Sequence, residues 1–83
     1  MKISAETAIA ILNGYESATV DGEFSHHIEW DADESSEFVI FHFEDCSDIS
    51  ITLSESSDFH WDEACKTLAV YENGNDTATI INL

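Results

Sequence analysis

No arginine and only two lysines, Lys2 and Lys66, stand against 18 Asp and Glu in this 83-residue chain, a formal net charge of −16. That shortage excludes direct binding of DNA or RNA, because such binders neutralise phosphates with clustered basic side chains. An anionic membrane surface repels the chain for the same reason. Proline is absent and glycine numbers three, so the composition is not that of a disordered tail despite the charge. No apolar run nears the ~20 residues of a membrane span. The opening Met1-Lys2-Ile3-Ser4-Ala5-Glu6 also lacks the apolar stretch of a signal peptide. Cys46 and Cys65, without an export signal, read as free buried thiols of a cytoplasmic protein, with a disulfide between them left open.

What is present is a core. Hydrophobic residues make up 43% of the chain and aromatics 11%, and they fall in periodic runs that solvated tails do not show. One folded domain over residues 1–83 follows, close to the size at which a single core suffices without metals or disulfides. A compact chain of this length has a radius of gyration of about 12 Å and a diameter near ~30 Å. Duplex DNA carries one negative charge per ~1.7 Å of axis, so sixteen charges match roughly 27 Å of duplex. The protein carries over its own length about the charge that DNA carries over the same distance. Such crowding costs stability through self-repulsion, which points to a partner that wants negative charge or to a solvent that screens it.

Ser4 reads as the N-cap of a helix over 5–12, closed by Asn13-Gly14 with Gly14 in the left-handed position. Ile9 and Leu12, with Ala5 and Ala8, form its apolar face. Period two then takes over. Strands over 15–20 and 23–30 flank Asp21-Gly22, a strong hairpin signal. In the second, Phe24, His26, Ile28 and Trp30 share one face, and Glu23, Ser25, His27 and Glu29 the other. Residues 31–36 read as a polar loop. The run over 37–43 is apolar enough for a central strand covered on both faces. Residues 49–54 alternate cleanly, and 66–71 with 77–82 form a second hairpin around 72–76. Residues 58–68 fit either a further strand or a short helix capped by Ser57 and lined by Trp61, Ala64, Cys65 and Leu68. The expected fold is α+β: a short N-terminal helix packed on an antiparallel five- to six-stranded meander sheet.

The densest run of acids is Glu29, Asp31, Asp33, Glu34, Glu37, Glu44, Asp45 and Asp48. These form the candidate partner-binding set, a negative rim for a basic groove. A calcium loop over 31–37 is disfavoured, because the EF-hand positions for Gly and for the bidentate Glu hold Ser36 and His42. A zinc site from His42, Cys46, His60 and Cys65 has looser spacing than structural zinc motifs. No metal and no cofactor are expected. Catalysis is not expected either, since no nucleophile turn or phosphate loop accompanies the Ser, His and Asp residues and oxyanion-binding bases are missing. Trp30 and Trp61 adjoin acids and are candidate interface anchors, with the core as the favoured place for both.

In size, acidity and α+β pattern the chain resembles the small phage-encoded DNA mimics that block host defences, the anti-CRISPR and anti-restriction proteins. The resemblance implies an inhibitor acting in the host cytoplasm, as monomer or homodimer. Its target would be the nucleic-acid-binding site of a basic complex such as a CRISPR effector or restriction enzyme. Two alternatives stay open on the residues alone: an immunity protein that covers a basic nuclease toxin, and a small halophile-adapted domain with no mimicry role.

Overall fold

Asp21 and Gly22 both take positive φ, 50° and 86°, the mark of a type I′ turn whose twist matches that of paired strands. The turn joins β2 (Ala18–Val20) to β3 (Glu23–Ala32). The computed structural model describes residues 1–33, 37–54, 56–72 and 76–83. Before this hairpin come β1 (Lys2–Ile3) and α1 (Ala5–Leu12); after it come β4 (Glu37–Phe43), β5 (Asp48–Leu53), β6 (Asp58–Asp62), β7 (Thr67–Tyr71) and β8 (Thr79–Asn82). Ser4 caps the helix as expected, its Oγ accepting from the Thr7 amide at 3.1 Å. Gly14 is not left-handed: Asn13 caps in the right-handed region, and the amides of Gly14 and Tyr15 close tight turns onto Ile11 and Leu12.

The eight strands form one sheet in the order β1-β6-β7-β8-β2-β3-β4-β5, every pairing antiparallel. A helix with a sheet keeps the chain within α+β, but the expected five- to six-stranded meander is wrong. Two meanders, β2 to β5 and β6 to β8, are joined by a non-local pairing of β2 with β8, and β1 adds to β6. Neither pairing leaves a local pattern, because β1 has two residues and β2 three. Residues 58–68 resolve as β6, a turn and the start of β7, so the helical alternative for this stretch is overturned. Of the second hairpin loop, 73–75 lie outside the described residues.

The sheet is strongly curled, and the chain forces it to be. In a flat sheet β5 and β6, six positions apart, would lie about 29 Å from each other at ~4.8 Å per strand. Residues 54–57 connect Leu53 to Asp58, five Cα steps that reach at most about 18 Å. Helix α1 packs against both β5 and β6, filling the inside of the curl. Leu12, Val20, Val39, Phe41, Ile51, Phe59, Leu68, Val70 and Ile81 are all fully buried there. The radius of gyration is 11.8 Å, as expected for a compact chain of this length. The outer face of β4 has no second layer among the described residues. Phe38, Ile40 and His42 are half-buried there by neighbouring side chains, which corrects the expectation of a strand covered on both sides.

Both cysteines are free and exposed rather than buried, because each sits in a hairpin turn. Cys46, at φ 69°, holds the left-handed position of the β4–β5 turn, where the Cys46 amide bonds Phe43 O and the Phe43 amide bonds Ser47 O. That position costs an L residue about 1–2 kcal/mol, whereas glycine's extra unfolded freedom costs it about 0.5–1 kcal/mol. Cys46→Gly is therefore expected to stabilise the protein by roughly 0.5–1 kcal/mol in urea unfolding, and a loss of stability would contradict the turn assignment.

Candidate functional site

One inserted residue in β3 decides what the outer face displays. β3 and β4 pair in register from Ala32↔Glu37 to His27↔His42, then slip so that Ser25 faces Phe43. The extra residue is His26, the hallmark of a β-bulge. Ser25 turns inward and is fully buried, its hydroxyl donating to the carbonyls of His27 and His42, both at 3.0 Å. Beyond the slip Ile28 and Trp30 keep the inner side as expected, but Phe24 and His26 turn out to solvent. The expected four-residue face is thus split, and Phe24 is 54% exposed.

The outer face beside the bulge holds a group of histidines. His27 stacks on His42 with ring centroids 5.5 Å apart. His42 Nε2 lies 2.7 Å from Glu29 Oε1, an ion pair when the ring is protonated. His26, Cys46 and Ser47 line the same shallow depression. His60 and Cys65 belong to β6 and its turn, with β7, β8, β2 and β3 between them and β4. The four residues of the zinc hypothesis are therefore split between two sites. Among the described residues no three His, Cys, Asp or Glu converge as a metal ion would need. The calcium segment over 31–37 falls partly outside the described residues; within it, Asp31 Oδ1 accepts from the Ala32 amide at 2.8 Å.

The acidic set runs along the β3–β4 hairpin, as its spacing in the sequence implies. Asp31, Asp33 and Glu37 sit at one end of the β3–β4 hairpin, while Glu44, Asp45 and Asp48 sit at the other, with Glu29 between. Six strand steps along β4 separate the two ends by about 20 Å. Glu34 lies outside the described residues. At the Glu44 end the structure adds two residues that the sequence reading left out of the site. Glu23 and Phe24 join Phe43, Glu44 and Asp45 around a notch of about 270 Å³. Glu23 was legible as the acid beside the Asp21-Gly22 turn; Phe24 was not, because its outward turn depends on the bulge. Trp61 is no anchor: it is buried, and its indole N–H donates to Glu63 Oε2 at 2.7 Å. Trp30 packs partly buried against the core.

Positive charge is kept away from this half. Lys2 pairs with Asp58 at 3.1 Å and Lys66 with Glu63 at 3.0 Å, both on the β6 side of the sheet. The Trp61 indole and then Lys66 hold the Glu63 carboxyl below its ordinary value, and Glu63 raises the Lys66 ammonium in return. Asp45 is held below its ordinary 3.8 by the Ser47 hydroxyl and then by the Ser47 amide, so it stays charged where it faces solvent.

Compared with known protein families, curated proteins and solved structures, the chain matches none of them. Among the described residues no helix is long and apolar enough to cross a membrane.

Two measurements check this geometry. Ser25→Ala leaves the bulge carbonyls without their buried donor and is expected to cost about 1–3 kcal/mol; an unchanged urea midpoint would mean that Ser25 does not pin the slip. Asp45→Ala removes a carboxylate whose folded-state pKa is depressed. Its contribution is present above 3.8 and lost as pH falls through the lowered value. The melting temperatures of parent and variant should differ near neutrality and converge in acid. The comparison is made at about 1 M salt, where screening acts within ~3 Å; a gap that persists in acid contradicts the assignment.

Proposed function

We propose that the protein is a non-catalytic acidic inhibitor that occupies a basic nucleic-acid-binding site of a host defence complex, of CRISPR-effector or restriction type, by imitating the charge of DNA. The observation that carries the reading is the segregation of charge. Nine of the 18 acids, Glu23, Glu29, Asp31, Asp33, Glu34, Glu37, Glu44, Asp45 and Asp48, fall between Glu23 and Asp48. Both lysines are spent in ion pairs on the other side of the sheet. Duplex DNA carries about 12 charges over ~20 Å of axis, and this half approaches that density over the length of β4. A cleft lined by Arg and Lys would attract such a field at long range, raising the association rate. Slow release needs apolar contact, and Phe24, set among Glu23, Glu44 and Asp45, supplies an aromatic anchor of the kind that dominates interfaces.

The test is inhibition and binding against purified CRISPR effectors and restriction enzymes, with duplex DNA as competitor. Saturating duplex should displace the protein, and affinity should fall steeply between about 50 and 200 mM salt. Neutralising Glu44, Asp45 and Asp48 together is expected to weaken binding at least roughly tenfold, about 1.4 kcal/mol. The same number of neutral substitutions at Glu6, Glu16 and Asp76 should do less. Phe24→Ala should speed dissociation without lowering stability, because the ring is mostly exposed. Binding that ignores competing DNA would end the mimicry reading even if inhibition survived.

A further inference from the structure

The sheet has two edges, and they are built differently. At one end β1 is two residues long and carries Lys2, paired to Asp58 at 3.1 Å, a short charged edge of the kind that resists pairing with other chains. At the other end β5 runs six residues, in unbroken register with β4 and without proline or lysine. The Phe43 amide bonds Ser47 O at 3.0 Å, which makes those two a hydrogen-bonded pair. By the alternation of antiparallel ladders, Ile49, Ile51 and Leu53 then exchange bonds with β4. The N–H and C=O groups of Asp48, Ser50 and Thr52 point away from the sheet. Asp48 and Ser50 are exposed, and Ile49 is 38% exposed although it lies on the inner side.

Among the described residues no strand pairs with this edge, and an unpaired edge of this length is a template for a further strand. Net charge decides which strand. A second copy would bring another sixteen negative charges onto an edge that already begins at Asp48, beside Glu44 and Asp45, so like-charge repulsion opposes self-pairing. A cationic segment meets the opposite field. Resting on the reading of this half as a surface for a basic partner, we propose that the β5 edge docks an extended segment of that partner as a ninth strand. Its alternate Lys or Arg residues would pass the outer side at Asp48, and its intervening apolar residues would cover Ile49. Main-chain bonds to Ser50 and Thr52 supply a grip that charge alone lacks, and the acids repel the protein's own copies.

The experiment uses the whole protein and two synthetic peptides of equal charge. One alternates lysine with valine; the other alternates lysine with proline and cannot form a ladder. The valine peptide is expected to bind at least roughly tenfold tighter, and on binding to slow hydrogen exchange at the Ser50 and Thr52 amides. Ser50→Pro removes an amide that β4 does not use, so the fold is expected to stay intact and the preference between peptides to vanish. Equal affinity for the two peptides, or unchanged exchange at Ser50 and Thr52, overturns the edge while leaving the charge reading standing. Failure of both peptides to bind even at low salt defeats the two together. A ladder formed by a second copy, seen as salt-induced dimers protecting the same amides in the absence of peptide, would assign the edge to self-association instead.

Discussion

A connection too short for a flat sheet governs this molecule. Residues 54–57 tie β5 to β6 across a separation that only curling can close, and curling gives the sheet an inside. That inside receives α1 and the buried side chains of seven strands, from Val20 through Phe41 to Ile81. Fully burying each such side chain contributes about 1.5–3 kcal/mol. Surface pairs such as Lys2–Asp58 and Lys66–Glu63 lie in solvent, where screening leaves them far weaker. The fold therefore stands on its core, and its electrostatics oppose it.

Because the inside is apolar, the charge is left to the outer face, the strand ends and the turns. The distribution there is not uniform. The β3–β5 side carries no lysine, and several of its acids frame an exposed aromatic ring at the Glu23–Glu44 end. On the β6 side Lys2 and Lys66 are each bound to a carboxylate. The inhibitor proposed above would meet a cationic cleft with the side that lacks lysine.

The Ser25 bulge links fold to surface. A single extra residue reverses the side on which Phe24 and His26 emerge and leaves Ile28 and Trp30 inside. Just before the slip, in the regular register, His27 lies beside His42, next to Glu29. The buried hydroxyl that satisfies the two carbonyls at the slip is thus a structural residue whose effect is felt at the proposed interface. Such coupling is common where bulges re-aim side chains near functional sites.

Several local signals are plain in the sequence, although the left-handed cap expected at Gly14 is not among them. Ser4 caps the helix because its oxygen meets an amide three residues on, and Asp21-Gly22 turns the chain because both residues accept positive φ. The alternation of 49–54 and the surplus of carboxylates were equally plain. The outward faces of Phe24 and His26, the exposure of the cysteines and the strand order are not legible there. Each depends on which distant segments pair, and period two cannot register one inserted residue until the opposite strand is known. By itself the sequence determined the N-terminal helix, most of the strands, the Asp21-Gly22 turn and the sign of the field, since these follow from neighbours in the chain and from composition. Only the tertiary structure decided that β8 joins β2, that the sheet curls, and that Phe24 emerges among the acids at one end of the hairpin. Those outcomes come from non-local pairing and chain reach, which no short window of residues contains.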